Sequence, residues 1–224
     1  MNPHHHLHES TLLSYAAGAL PEPLSIVAGT HLEQCAHCRQ RLRDAEAIGS
    51  VLLEQTQPAA AEARQATLRQ AMLAQLDDQP DGVRPPAPQP RVAERPGADP
   101  DALPAALHPF FGDSLRRLRW RWIAPGVHCI RAEQMESLIM LRIAPGKCLP
   151  MHSHGRSELT QILRGAYNDA LGLFAPGDVA DLDEAVEHQP VTAPGVPCIC
   201  VSALDAPLVF SGWLARRIQR FVKL

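Results

Sequence analysis

The sequence has no apolar run near the ~20 residues needed to cross a bilayer, which excludes a transmembrane helix. Its opening, Met1-Asn2-Pro3-His4-His5-His6, has neither the basic start nor the apolar core of a secretory signal. It also lacks a strong charge of either sign, since 21 Lys and Arg against 24 Asp and Glu leave a formal net charge of −3. A nucleic-acid-binding domain usually presents a basic face. Residues 1–78 offer the reverse, five Lys and Arg against nine Asp and Glu, so this segment would attract a basic protein surface and repel DNA. Nor are the six cysteines spaced as a disulfide scaffold; two form a Cys-x-x-Cys beside a histidine. That usage fits a reducing cytoplasm with thiolates free for a metal ion. No internal repeat at solenoid spacing is present. What remains is an ordinary globular balance, 46% apolar and 20% charged.

Three regions separate by composition. Residues 1–78 read as helical: Leu12, Leu13, Tyr15 and Ala16 are closed by Gly18 at a C-cap position. Pro21 and Pro23 suit the start of a second helical segment or pair running to about Gln55. A third stretch, about Ala59 to Leu76, spaces Leu68, Met72 and Leu76 four apart, as on one helix face. Residues 79–107 are rich in proline and nearly devoid of large apolar residues, which predicts an extended linker. Residues 108–224 turn to β texture. Trp120 and Trp122 alternate within Leu118 to Ile123 and are expected to pack on one strand face, and Ser137 to Ile143 is a short apolar run. Ala-Pro-Gly turns recur at 124–126, 144–146, 175–177 and 193–195. Short punctuated strands predict an antiparallel sandwich or barrel.

His31-x-x-x-Cys35-x-x-Cys38 is the first chemical signal. On a continuous helix these positions share a face, so one imidazole and two sulfurs can converge on one ion. Zinc takes a tetrahedral shell of such donors, four in a structural site. His4, His5, His6 and His8 are candidates for the fourth; His37 would point away. A thioredoxin-like redox site would need a βαβ context that this helical segment does not offer.

The second signal begins at Gly146: five residues lead to His152-x-His154, three more to Glu158 and six more to Gly165. Residues two apart on a strand face the same way, so both imidazoles point to one side, and Glu158 joins them along the strand or through a bend. This pattern resembles the first cupin motif. His188 is the remaining downstream histidine for a fourth ligand, although the second cupin motif around it is degenerate. Three imidazoles and a carboxylate suit zinc, manganese, iron or nickel, and donor type alone does not choose among them; zinc is the leading expectation. Cys198-x-Cys200 shares a strand face too, either as a redox-responsive pair or as two small buried hydrophobes.

His6, Tyr15-Ala16-Ala17-Gly18, Thr30-His31-Leu32, Cys35 and Cys38, together with the cupin pattern behind them, resemble the ChrR-type zinc-binding anti-sigma factors. The resemblance implies an α + β multidomain chain: a small all-α zinc-binding bundle over 1–78, a linker over 79–107, and an all-β cupin jelly-roll barrel over 108–224. It implies zinc on His6, His31, Cys35 and Cys38, and sequestration of an extracytoplasmic-function sigma factor by the helical domain. Release is expected under oxidative stress, from singlet oxygen or organic hydroperoxide, either met at the cupin metal site or acting directly on Cys35 and Cys38 to eject zinc. Two other readings remain at this stage. One is a cupin dioxygenase using iron at His152, His154, Glu158 and His188. The other is a DNA-binding regulator, which the acidic front opposes.

Overall fold

The computed structural model describes residues 3–57, 63–77, 99–205 and 208–210. Four helices come first: α1 (Glu9–Ala16), α2 (Glu22–Gln34), α3 (Ala36–Gln55) and α4 (Ala63–Asp77). Gly18 ends the first with a φ of +65°, the left-handed geometry that glycine reaches at little cost. Pro21 caps α2, and Pro23 sits in its first turn, where a missing N–H leaves no helical bond unmade. Most of the proline-rich stretch expected as a linker lies outside the described residues. Its last part carries a 3-10 turn at Ala105–Leu107 that leads into a single-turn α5 (His108–Phe111).

Twelve short strands follow among the described residues: β1 (Arg121–Ala124), β2 (Val127–Ala132), β3 (Met135–Ile143), β4 (His152–His154), β5 (Glu158–Arg164), β6 (Tyr167–Asp169), β7 (Gly172–Phe174), β8 (Val179–Leu182), β9 (Glu187–His188), β10 (Val191–Thr192), β11 (Cys198–Leu204) and β12 (Leu208–Phe210). They form one six-stranded sheet, ordered β1-β2-β3-β11-β5-β8, and two three-stranded sheets, β10-β6-β7 and β12-β4-β9. Every pairing is antiparallel. The α + β class expected from the sequence is therefore the class observed.

The chain gathers into two compact units, one of Met1–Gly49 with Pro100–Leu224 and one of Ser50–Asp99. In the first unit, α2 packs on β3, β5 and β11. Strand alternation explains how the large sheet serves two cores. Leu138 and Met140 of β3, Leu159 of β5, and Ile199, Val201 and Ala203 of β11 join Leu12, Leu24, Val27 and Ala28 of the helices. Facing the other way, Ile143, Ile162, Cys198 and Cys200 join Tyr167, Phe174 and Leu182 inside the sandwich. With both faces covered, all seven residues of β11 are buried, which accounts for the unbroken apolar run at 198–204. Gly165, expected from its place in the motif to mark a turn, has a φ of +69°, and a Cβ there would sit 2.5 Å from the Pro197 carbonyl oxygen. The expected packing of Trp122 does not occur: it is 66% exposed at the sheet edge, while Trp120 precedes β1 and rests on the helix-facing core.

The second unit holds the end of α3 and all of α4. The side chains described in α4 are exposed. Leu68 and Met72, expected as an apolar helix face, are among them, with Leu73.

Candidate metal centres

The His31–Cys38 motif does not lie on one continuous helix. Cys35 breaks it, with extended dihedrals (φ −101°, ψ 104°), so α2 ends at Gln34 and α3 begins at Ala36. The break turns the two sulfurs toward one point. The backbone N–H of Cys38 donates to Cys35 Sγ at 3.4 Å. His31 Nε2 lies 3.3 Å from Cys38 Sγ. His6 Nδ1 lies 3.3 Å from Cys35 Sγ and 3.7 Å from Cys38 Sγ. One donor atom from each of His6, His31, Cys35 and Cys38 falls within 4.8 Å of the other three. Metal–nitrogen bonds of ~2.05 Å and metal–sulfur bonds of ~2.3 Å at tetrahedral angles give nitrogen–sulfur separations of about 3.5 Å, close to those observed. Of the four N-terminal histidines, His6 is the one brought to the cluster. His37 is exposed, with its ring centroid 4.4 Å from that of His6.

The environment suits a cation exchanged for protons. His31, Cys35 and Cys38 are buried and His6 partly so. Burial holds the His31 imidazole neutral, with its pKa lowered to about 4, and lowers that of His6 as well. Burial pushes the Cys38 thiol up to about 12. Two neutral imidazoles and two sulfurs in a dry pocket can together hold a divalent ion, the composition of a structural zinc site.

The barrel pattern resolves differently from a single strand. β4 carries His152, a bend at 155–157 follows, and Glu158 opens β5 in the other sheet. β4 pairs with β9 so that His152 stands directly opposite His188, and their Nε2 atoms are 3.1 Å apart. Each ring is oriented through its other nitrogen: His152 Nδ1 bonds the Pro150 carbonyl at 2.9 Å, and His188 Nδ1 bonds Asp169 Oδ2 at 2.8 Å. Metal-binding histidines show this arrangement, one nitrogen tied to an oxygen and the other turned to the ion. Glu158 is buried and accepts from Thr160 Oγ1 at 2.6 Å and from Ser202 Oγ at 3.3 Å. His154 belongs to β4, but its side chain lies outside the described residues. Asp169, whose side chain is buried beside His188, was not singled out from the sequence. It stands 19 residues upstream on another strand, and only the fold brings the two together.

Cys198 and Cys200 lie buried on β11, facing the sandwich interior with Ile162 and Tyr167. Burial pushes the Cys198 thiol up to about 12 and holds that of Cys200 well above its usual range. Such an environment suits packing better than thiol exchange.

Comparison with known proteins covers nearly the whole chain. Residues 114–206 match the family model of the ChrR cupin-like domain. The anti-sigma-E factor ChrR of Cereibacter sphaeroides is 39% identical over 222 residues, 98% of each chain. A chain in the crystal structure of Rhodobacter sphaeroides SigE in complex with the anti-sigma ChrR aligns with a TM-score of 0.70 at 33% identity, covering 92% of this chain and all of that one. A helical segment with a His/Cys cluster, a cupin-like sandwich behind it and an end-to-end match at this identity have one reading: the chain belongs to the family of the anti-sigma factor ChrR.

Proposed function

We propose that the protein is an anti-sigma factor that sequesters an extracytoplasmic-function sigma factor in the cytoplasm and releases it under oxidative stress, from singlet oxygen or organic hydroperoxide. The observation that carries this reading is the match to ChrR over 98% of both chains, which leaves no region free for a different architecture. Among the described residues no helix is long and apolar enough to cross a membrane.

The N-terminal helices supply the surface for the partner. Ile48 and Leu52 of α3 stand one turn apart and are 58% and 61% exposed, with Val51 and Leu53 exposed beside them. Leu68 and Met72 repeat that spacing on α4. Rows of exposed apolar side chains mark protein contacts more often than chance placement. Zinc held by His6, His31, Cys35 and Cys38 fixes the junction from which α3 departs, so the ion shapes the helix that meets the sigma factor. In the barrel, His152, His154, Glu158 and His188 hold a second ion, zinc or one of manganese, iron and nickel, and this site meets the oxidant.

Co-expression of the tagged full chain with an extracytoplasmic-function sigma factor of the same genome tests the reading. The two are expected to copurify, and the chain should suppress transcription by that sigma factor in vitro. Transcription unaffected by excess chain would refute it. For the sensor, His152→Ala or Glu158→Ala should abolish oxidant-triggered release while leaving sequestration intact. An unchanged response would remove the barrel metal from the mechanism.

A further inference from the structure

Two of the four donors in the His/Cys cluster are held in place by the barrel. His31 Nε2 faces Cys38, while its Nδ1 bonds the carbonyl oxygen of Gly177 at 3.0 Å, across 146 residues of sequence. Gly177 lies in the Ala175-Pro176-Gly177-Asp178 turn between β7 and β8. The next residue, Asp178, is 2% exposed. Its Oδ1 accepts from the backbone N–H of His4 at 2.6 Å and of His5 at 3.0 Å, and its Oδ2 accepts from Ala175 N–H at 2.8 Å. The arm that delivers His6 is gripped a second time through His5. That ring stacks on Phe174, with centroids 3.9 Å apart, and its Nε2 bonds the Leu173 carbonyl at 3.1 Å. Cys35 and Cys38 sit at the α2–α3 junction, whereas His31 and the arm that carries His6 are both bonded to this turn of the barrel.

From this geometry we infer that Gly177 and Asp178 are positioning residues of the N-terminal metal site, so that metal retention by the helices and their docking on the barrel form one coupled equilibrium. This rests on the reading of the cluster as a metal site. A buried carboxylate satisfied by three N–H donors is a rigid anchor. Partners that orient a ligand from behind typically alter metal affinity by ~10–100-fold when removed. Coupling is reciprocal by thermodynamic necessity: an ion in the cluster tightens the helices onto the barrel, and a barrel that lets go of the arm loosens the ion. A disturbance in the barrel thereby reaches the sigma-binding helices without the oxidant touching Cys35 or Cys38.

The test uses the full chain loaded with cobalt, because thiolate-to-cobalt charge-transfer absorption reports Cys35 and Cys38 alone; the barrel donors include no sulfur. Asp178→Ala should lose this absorption to a chelator ~10–100-fold faster than the natural chain. Asp178→Asn, which keeps one oxygen for the His4 and His5 donors, should restore part of the difference. Thr192→Ala is the stability control. On β10, its buried hydroxyl accepts from Lys147 N–H and donates to the Ala144 carbonyl, neither of them in the arm or its turn, and its release rate should match the natural chain. If Asp178→Ala proves poorly folded, His5→Ala, which removes the stack on Phe174, should speed release in the same direction by a smaller factor. Release unchanged in both Asp178→Ala and His5→Ala, or equally fast in Thr192→Ala, overturns the inference. Absence of any thiolate absorption in the natural chain instead overturns the metal reading beneath it.

Discussion

Gln161→Met should stabilise the protein. Gln161 stands on β5 with no exposure, and neither its Oε1 nor its Nε2 finds a hydrogen-bond partner among the described residues. Its neighbours two positions away, Leu159 and Leu163, belong to the core shared with the helices, so the amide is sealed beneath that helical cover. A buried polar group left unpaired costs about 1–3 kcal/mol. Methionine has nearly the same length, has no polar group to leave unpaired, and its flexible unbranched chain fills the same space without overpacking. The expected gain is ~1–3 kcal/mol, equivalent to about 2–12 °C in midpoint for a chain of this size. Urea unfolding followed by far-UV dichroism gives the measurement. The midpoint should rise with an unchanged slope, because the surface exposed on unfolding is the same. A lowered midpoint would refute the reasoning, for it would mean that the amide has found partners worth more than its desolvation.

Other consequences follow from the sites. Zinc affinity of the N-terminal cluster should rise with pH, about tenfold per unit for the Cys38 proton alone, because a thiol held up at about 12 must lose its proton to bind. His31 adds no such dependence until the pH approaches 4, where its imidazole begins to protonate; competition titrations between pH 6 and 8 would show the slope, and a flat profile would deny thiolate ligation. Asp169→Ala should lower the metal affinity of the barrel by ~10–100-fold, since it frees the His188 ring from its orienting carboxylate. Competition with a chelator in a background lacking Cys35 and Cys38 would reveal this, and an unchanged affinity would show that Asp169 has no such role.

Much of this was legible before any coordinates. The capping glycine at 18, the prolines at 21 and 23 and the shift to β texture after the proline-rich stretch are local signals, and the elements formed where they pointed. The short spacing of His31, Cys35 and Cys38 named residues the fold then placed in one buried cluster, and His152 and Glu158, named the same way, are each buried. The break at Cys35 was hidden, because its neighbours carry ordinary helix formers and the extended dihedral is set by the tertiary environment. Asp169 and Asp178 were hidden for another reason. Each acts on a partner in a different element, His188 in one case and the His4–His5 backbone in the other, and no periodicity links such pairs. Trp122 misled because alternation says which residues share a face but not whether anything covers it.

In the function proposed, the donors of His6, His31, Cys35 and Cys38 hold an ion that shapes the sigma-binding helices. The direct measurement is the zinc-to-chain ratio and the retained sigma factor, determined on the same samples for the natural chain and for a Cys35→Ser, Cys38→Ser variant. The variant should carry one zinc fewer and retain no sigma factor. Equal zinc content in the two, or a variant that loses the ion and still holds the sigma factor at full strength, would contradict it.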